Sequence, residues 1–289
     1  MTASRFDIRP LTPTLGACIE GLDLQACPDA SLQAFEAALL QWKVVVLRAP
    51  GLTPDALLGI TRRLGTPMRL PYIRPLRDSP EVIAVLKEAD EVNMGVFGGE
   101  WHSDFSFLSA PPRYSLLHAC EIPPVGGDTL WANMVAAYSR LEDALKKRLK
   151  GIDSIHTGAP YGVKHAPDPD DQFTGSIEMA RNNPEADRET RHPAVCRIPE
   201  TGDSALFVNP TYTIRLEGMS ANESSALLER LYRHCTRPEF TCRLRWQAGD
   251  LVVWDNRQTL HYAVNDYDGF RRLLHRCTVA GSEPQSAAC

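Results

Sequence analysis

The 289-residue sequence predicts a mainly β protein with peripheral helices, built as an elaborated β barrel or a double-sheet jelly roll. Two observations carry the prediction. Short apolar or β-branched runs at 44–47, 81–86, 114–122, 240–246, 251–254 and 272–279 stand on both sides of a helix-containing centre. The strand–helix alternation of a parallel sheet is missing, as are the GxGxxG turn and the P-loop lysine of nucleotide-binding folds.

The elements follow in chain order. Leu32, Phe35, Leu39 and Trp42 recur at helical spacing and predict a helix over 31–42, followed by a buried strand at 44–47. Thr53 before Pro54 marks a second helix start, because proline at the first helical position gives up a hydrogen bond that the helix does not use. That helix ends near Gly65. Gly126-Gly127 predicts a turn ahead of Asp128-Thr129-Leu130-Trp131. Met134, Tyr138, Leu141 and Leu145 form the stripe of a helix over 134–149, and Lys146, Lys147 and Arg148 suit its negative end as a solvated last turn before Gly151. Between 160 and 193, prolines and mixed charges replace periodicity, which reads either as an active-site lid or as a plain surface insertion. Ser220 and Glu223 make a capping box for a helix reaching about Cys235.

Composition narrows the class. Hydrophobic residues at 43% and charged residues at 23% are ordinary for a globule and exclude global disorder. A net charge of -5 argues against a duplex nucleic-acid partner. No apolar run approaches the length of a membrane span, and the opening MTASRFDIRPLTP lacks a signal core. The eight cysteines are scattered without a CxxC pair, which predicts free thiols and a cytoplasmic location.

Trp101-His102-Ser103-Asp104 is the sharpest local feature. On a strand, positions i and i+2 share a face, so an imidazole and a carboxylate could grip one metal. The pair alone is a weak signal, common on solvated strands. His261, beyond the 251–254 run, offers a third ligand, although its ordinary reading is a turn histidine bonded to backbone. Two histidines and one carboxylate leave coordination positions open and suit oxygen chemistry at non-haem Fe(II). Arg272 and Arg276 share one face of the 272–279 strand, where arginines make poor core residues unless paired. Their partners are either two acidic ligands, a dicarboxylate co-substrate and a primary substrate, or protein carboxylates.

These residues lie in longer motifs. Trp101-His102-Ser103-Asp104, Gly126-Gly127-Asp128-Thr129-Leu130-Trp131, Trp254-Asp255-Asn256-Arg257, His261-Tyr262-Ala263 and Arg271-Arg272-Leu273-Leu274-His275-Arg276 resemble the taurine dioxygenase family of Fe(II)/2-oxoglutarate oxygenases, in outline over residues 10–281. The resemblance implies a double-stranded β-helix (a cupin-like jelly roll) in one oxygenase domain over 1–289, with a helix-containing insertion between core strands. It implies Fe(II), and O2 reduction coupled to decarboxylation of 2-oxoglutarate to succinate and CO2. By the same resemblance His102, Asp104 and His261 are the catalytic metal ligands, and Arg272 with Thr129 clamps the distal carboxylate of 2-oxoglutarate. Arg276 receives the substrate anion, and Phe207 and Asn209 match a segment near the substrate; outside the resemblance, Tyr72 is expected to face the pocket and Arg69 to bring a second positive charge.

Two departures turn the expectation away from taurine. The 95–99 segment lacks the asparagine, and the 68–72 segment the histidine, with which similar taurine enzymes hold the sulfonate. Phe97, Phe105 and Phe107 suit a larger, more apolar substrate or plain β-core packing. The carboxylate of Asp104, absent from related halogenases, points to hydroxylation or another oxidative transformation, and the expected reaction is hydroxylation of a small, anionic organic substrate. Desaturation, cyclisation or oxidative cleavage at the same iron is the alternative, and a non-catalytic metal-binding ligand sensor is the rival outside enzymes. No nucleic-acid or membrane partner is expected, and a homo-oligomer stays open.

Overall fold

The computed structural model describes residues 6–164 and 175–287. It opens with β1 (Asp7–Pro10), β2 (Ala17–Glu20), α1 (Asp29–Trp42), β3 (Val44–Arg48), α2 (Pro54–Leu64), β4 (Ile83–Lys87) and β5 (Tyr114–Glu121). The centre holds β6 (Thr129–Asn133), α3 (Met134–Ser139), α4 (Asp143–Leu149), β7 (Asp153–His156), β8 (Thr190–Pro193), β9 (Val195–Arg197), β10 (Ser204–Leu206) and β11 (Thr213–Leu216). After α5 (Ala221–Cys235) come β12 (Thr241–Leu244), β13 (Asp250–Asp255), β14 (Thr259–Ala263) and β15 (Arg272–Val279).

A seven-stranded sheet in the order β1-β2-β3-β13-β5-β15-β4 forms one layer, antiparallel except where β2 runs parallel to β3. A smaller sheet, β12-β6-β14, faces it. Val46, Leu117, Val252, Trp254 and Leu274 from the large sheet pack with Trp131 of β6 between the layers. The alternate residues Val45, Leu47, Leu116, Leu251 and Val253 meet α1 and α2 on the outer face. Both faces of β3 and β13 are therefore covered, which is why these strands read as continuous apolar runs instead of alternating ones. This is the mainly β, double-layered jelly roll that the sequence predicts.

The helix starts hold. Thr53 Oγ1 accepts from the backbone N–H of Ala56, and Ser220 and Glu223 cap α5 reciprocally. The single helix expected over 134–149 is instead two. Ser139 turns its hydroxyl back to the Ala136 carbonyl, Arg140 leaves the helical line, and Glu142 restarts it as the N-cap of α4. Leu141 stays buried through the break, so the apolar stripe is continuous although the helix is not. The seven described cysteines are free. Among the described residues no helix is long and apolar enough to cross a membrane. Of the 160–193 segment, residues 165–174 lie outside the described residues. Its later flank is tied to 72–74 by the Ile73–Met179 bridge and by bonds from Arg74 N to Glu178 O and Ala180 N to Tyr72 O.

Candidate active site

His261 stands on β14 and exchanges backbone bonds with His102: His102 N donates to His261 O at 3.0 Å, and His261 N to His102 O at 2.8 Å. The ladder goes no further, because Phe105 takes a left-handed φ of 45° and Asp104 falls on the turn before it. The shared strand face expected of His102 and Asp104 is thus corrected to a bridge residue and a turn residue. The outcome is still convergence. Ligand atoms of His102, Asp104 and His261 lie within 4.8 Å of one another, all three side chains are buried, and each imidazole Nε2 is 3.5 Å from Asp104 Oδ1. His102 Nδ1 donates to the Glu100 carbonyl at 2.7 Å, which turns Nε2 toward Asp104. Gly98, at φ 78°, is needed beside it: a Cβ there would come 3.0 Å from His102 Cε1.

The other carboxylate oxygen is held from behind. Oδ2 accepts from Ser115 Oγ at 2.6 Å and from Arg276 Nη2 at 2.5 Å. Ser115 Oγ in turn accepts from Asn256 Nδ2, and Asn256 Oδ1 accepts from Trp254 Nε1. Ser103 Oγ donates to the Asn256 carbonyl, closing the circuit on the His102–Asp104 loop. Burial alone would raise the Asp104 pKa, but the Arg276 guanidinium holds it well below the usual carboxylate range. Burial and the neighbouring His102 push His261 well below its ordinary value, which leaves a neutral imidazole. An ionised Asp104 and a neutral His261 are protonation states that suit a divalent metal.

Arg272, Leu274 and Arg276 are buried along one face of β15, whereas Leu273 and His275 are half-buried. Arg272 Nε and Nη2 have no hydrogen-bond partner among the described residues. The Trp246 and Tyr267 rings flank its guanidinium at 5.7 and 5.8 Å, and burial lowers its pKa. Gly127, at φ 67°, admits it: a Cβ would meet Arg272 Cδ and Nε at 3.1 Å. Thr129 joins the group through Trp246, whose Nε1 donates to Thr129 Oγ1 at 2.9 Å. A buried cation with two unused donors is costly unless an anion completes it. Arg272 lines a small pocket that shares Gly95, Val96, Phe97 and Met179 with a cavity of about 540 Å³, lined among others by His102, Tyr161, Arg181, Tyr212 and Tyr262.

The remaining sequence-predicted residues are distributed around this centre. Arg276 is not in the cavity lining; its Nη2 serves Asp104 and Ser115. Tyr72 stacks on Tyr161, with ring centroids 5.3 Å apart, and Tyr161 forms the wall. Asn209 is buried and positions the wall: its Oδ1 accepts from Tyr212 N, and its Nδ2 donates to Ser106 Oγ. Phe207 packs against His156 and His192, and Arg69 is exposed and paired with Glu81. Phe105 and Phe107 are core, while Phe97 lines the cavity. Sequence reading passed over Ser115, Tyr161, Arg181 and Tyr212. Only Ser115 left a signal, as the one small hydroxyl in an apolar strand.

A jelly roll with two imidazoles and a carboxylate converging beside a substrate-sized cavity defines the class of mononuclear non-haem iron oxygenases. The model of the Taurine catabolism dioxygenase TauD, TfdA family matches residues 7–278, and the chain belongs to that family. It is 34% identical to an alpha-ketoglutarate-dependent sulfate ester dioxygenase of Pseudomonas putida, over 98% of this chain and 92% of that one. It is 35% identical to an alkylsulfatase of Acinetobacter baylyi, covering 96% and 86%. A solved taurine dioxygenase from Burkholderia xenovorans superposes with a TM-score of 0.79 at 31% identity, covering 96% and 92%. The chain is an alpha-ketoglutarate-dependent dioxygenase, and its family uses Fe(II), 2-oxoglutarate and O2. The non-catalytic alternative falls with that assignment.

Proposed function

We propose that this enzyme oxidises, by hydroxylation, a small organic anion with an apolar body, such as an organic sulfate or sulfonate. In this reading His102, Asp104 and His261 hold Fe(II), and Arg272 with Thr129 receives the distal carboxylate of 2-oxoglutarate. The carrying observation is the junction of two half-sites: three convergent ligand atoms beside a cavity that His102 lines, and a buried guanidinium with unused donors in the adjoining pocket. When bound, Fe(II) supplies the centre at which O2 is reduced and 2-oxoglutarate decarboxylated. The protein fixes what surrounds it. Arg276 and Ser115 hold Asp104 Oδ2 so that Oδ1 faces the imidazoles, and Tyr161, Tyr212 and Phe97 give the substrate a largely aromatic wall. The relatives that act on sulfate esters support an anionic substrate.

The test is O2 uptake and succinate release by the Fe(II)-loaded enzyme with 2-oxoglutarate and a panel of alkyl sulfates, sulfonates and carboxylates. At least one anion should drive matched O2 and succinate turnover that His102→Ala and His261→Ala abolish. Turnover that survives either substitution, or a panel without effect, refutes the reading.

A further inference from the structure

Arg272 has two unpartnered donors although the chain brings acidic residues close to it. Asp128 follows Gly127, where an added Cβ would stand 3.1 Å from Arg272 Nε, and its Cα is one peptide step, about 3.8 Å, from that of Gly127. Its charge is felt there: burial lowers the Arg272 pKa, against the opposing effects of Tyr267 and Asp128. A desolvated guanidinium with free donors and a carboxylate so near would ordinarily pair. They do not. Arg243 Nε donates to Asp128 Oδ2 at 2.6 Å, and Arg243 Nη2 stands 3.8 Å from Asp266 Oδ2. Asp266 Oδ1 accepts from Gly127 N at 2.7 Å. The Asp128 side chain is only 12% exposed and has no other side-chain partner among the described residues. Arg243, 55% exposed on β12, thus reaches in from the surface and takes a carboxylate that little water reaches. Lys87, directly across from Arg272 on β4, holds Asp268 likewise, with Nζ 2.6 Å from Oδ1.

We infer that Arg243 is a positioning residue for the co-substrate: by holding Asp128 it keeps that carboxylate off Arg272, and so leaves the Arg272 fork open to the distal carboxylate of 2-oxoglutarate. The inference rests on the proposed role of Arg272 in receiving that carboxylate. Without Arg243, Asp128 is a nearly buried charge beside an unfilled guanidinium. The internal pair would then compete with the ligand for the same two donors, and the apparent affinity for 2-oxoglutarate would fall with the fraction of molecules left unpaired. An internal pair formed in roughly nine molecules of ten lowers it about ten-fold. Arg243 lines neither the Arg272 pocket nor the large cavity, so its effect on the ligand passes through Asp128.

The experiment titrates 2-oxoglutarate calorimetrically, without oxygen, into the Mn(II)-loaded wild type and variants. Arg243→Met should weaken binding about ten-fold or more. Adding Asp128→Asn should bring the affinity back to within about two-fold of the wild type, because the competitor is gone. Arg243→Lys should keep most of the affinity, and Asp128→Asn alone should bind as tightly as the wild type or more so. A purely structural Arg243 predicts the opposite for the double variant, since a second substitution then adds damage and recovers nothing. Unchanged affinity in Arg243→Met, no recovery in the double variant, or a comparable loss in Asp128→Asn alone overturns the inference. Arg272→Met tests the underlying reading separately. If that variant binds 2-oxoglutarate as the wild type does, the co-substrate sits elsewhere and the proposed role of Arg272 fails, whatever Arg243 does.

Discussion

One hydroxyl shares with Arg276 the task of orienting the carboxylate at the centre of the site. Ser115 Oγ donates to Asp104 Oδ2 and accepts from Asn256 Nδ2, so it links the His102–Asp104 loop to the turn after β13. Removing it leaves two buried polar groups short of a partner, which costs about 1–3 kcal/mol each at most, and frees Asp104 to rotate about its remaining bond to Arg276. Ser115→Ala should therefore fold but bind Co(II) or Fe(II) about 10–100-fold more weakly, the usual effect of losing an outer partner of a metal ligand. Metal affinity unchanged in a direct titration would remove Ser115 from the site. The sequence made the ligand candidates legible because only a few residue types can hold iron, and His102, Asp104 and His261 are such types in restricted spacing. It could not show the Arg276–Asp104 pair, because that contact joins positions 172 residues apart and depends on β15 lying beside β5.

At the scale of elements, legibility followed burial. The strands over 44–47 and 251–254 were readable because both faces are covered and the runs are apolar throughout. β7, β8 and β11 were not, since they are four residues long and bury the polar His156, His192 and Thr213 beside at most one aliphatic side chain each. His156 is enclosed by hydroxyls: Ser106 Oγ is 3.0 Å from Nδ1, and Ser154 Oγ is 2.9 Å from Nε2. Burial, with the neighbouring His192, pushes its pKa down to about 3, and burial lowers His192 as well. In the unfolded chain such an imidazole titrates near 6.5, so between about 6.5 and 3 the unfolded state holds the extra proton. Stability should thus be full above that window and fall as the pH drops through it. Urea unfolding at pH 6.5 and pH 5 should show this loss, and His156→Gln should reduce it by about 1.5 kcal/mol, the proton difference rising from one half to nearly one across the interval. The same loss in the variant would mean that His156 is not the group responsible. The network joins Ser106, two residues past Asp104, to Asn209, which sets Tyr212 in the cavity wall, so acid release of the β11-β7-β8 sheet should also loosen the wall.

At the scale of the whole molecule, the jelly roll buries a charge, that of Arg272, which the described residues do not complete. Arg272 reaches between Trp246, Tyr267 and Gly127 with Nε and Nη2 unpartnered among the described residues, and the aromatic rings offset only part of the desolvation. The fold is therefore less stable than it would be with an apolar side chain there, and the deficit is recovered only when an anion binds. Arg272→Met keeps the length and packing of the stem while removing the charge. Without ligands this variant should be more stable than the wild type by on the order of 1 kcal/mol, or about 2 °C in Tm for a chain of this size. With Mn(II) present, 2-oxoglutarate should raise the wild-type Tm progressively, by an amount equivalent to about 2.7 kcal/mol at one hundred times its Kd. The variant should show almost none of that rise. Thermal melts of both proteins across a 2-oxoglutarate series would decide the matter. A variant that melts below the ligand-free wild type would show that Arg272 is already satisfied within the fold, and an equal response to 2-oxoglutarate would place the co-substrate elsewhere.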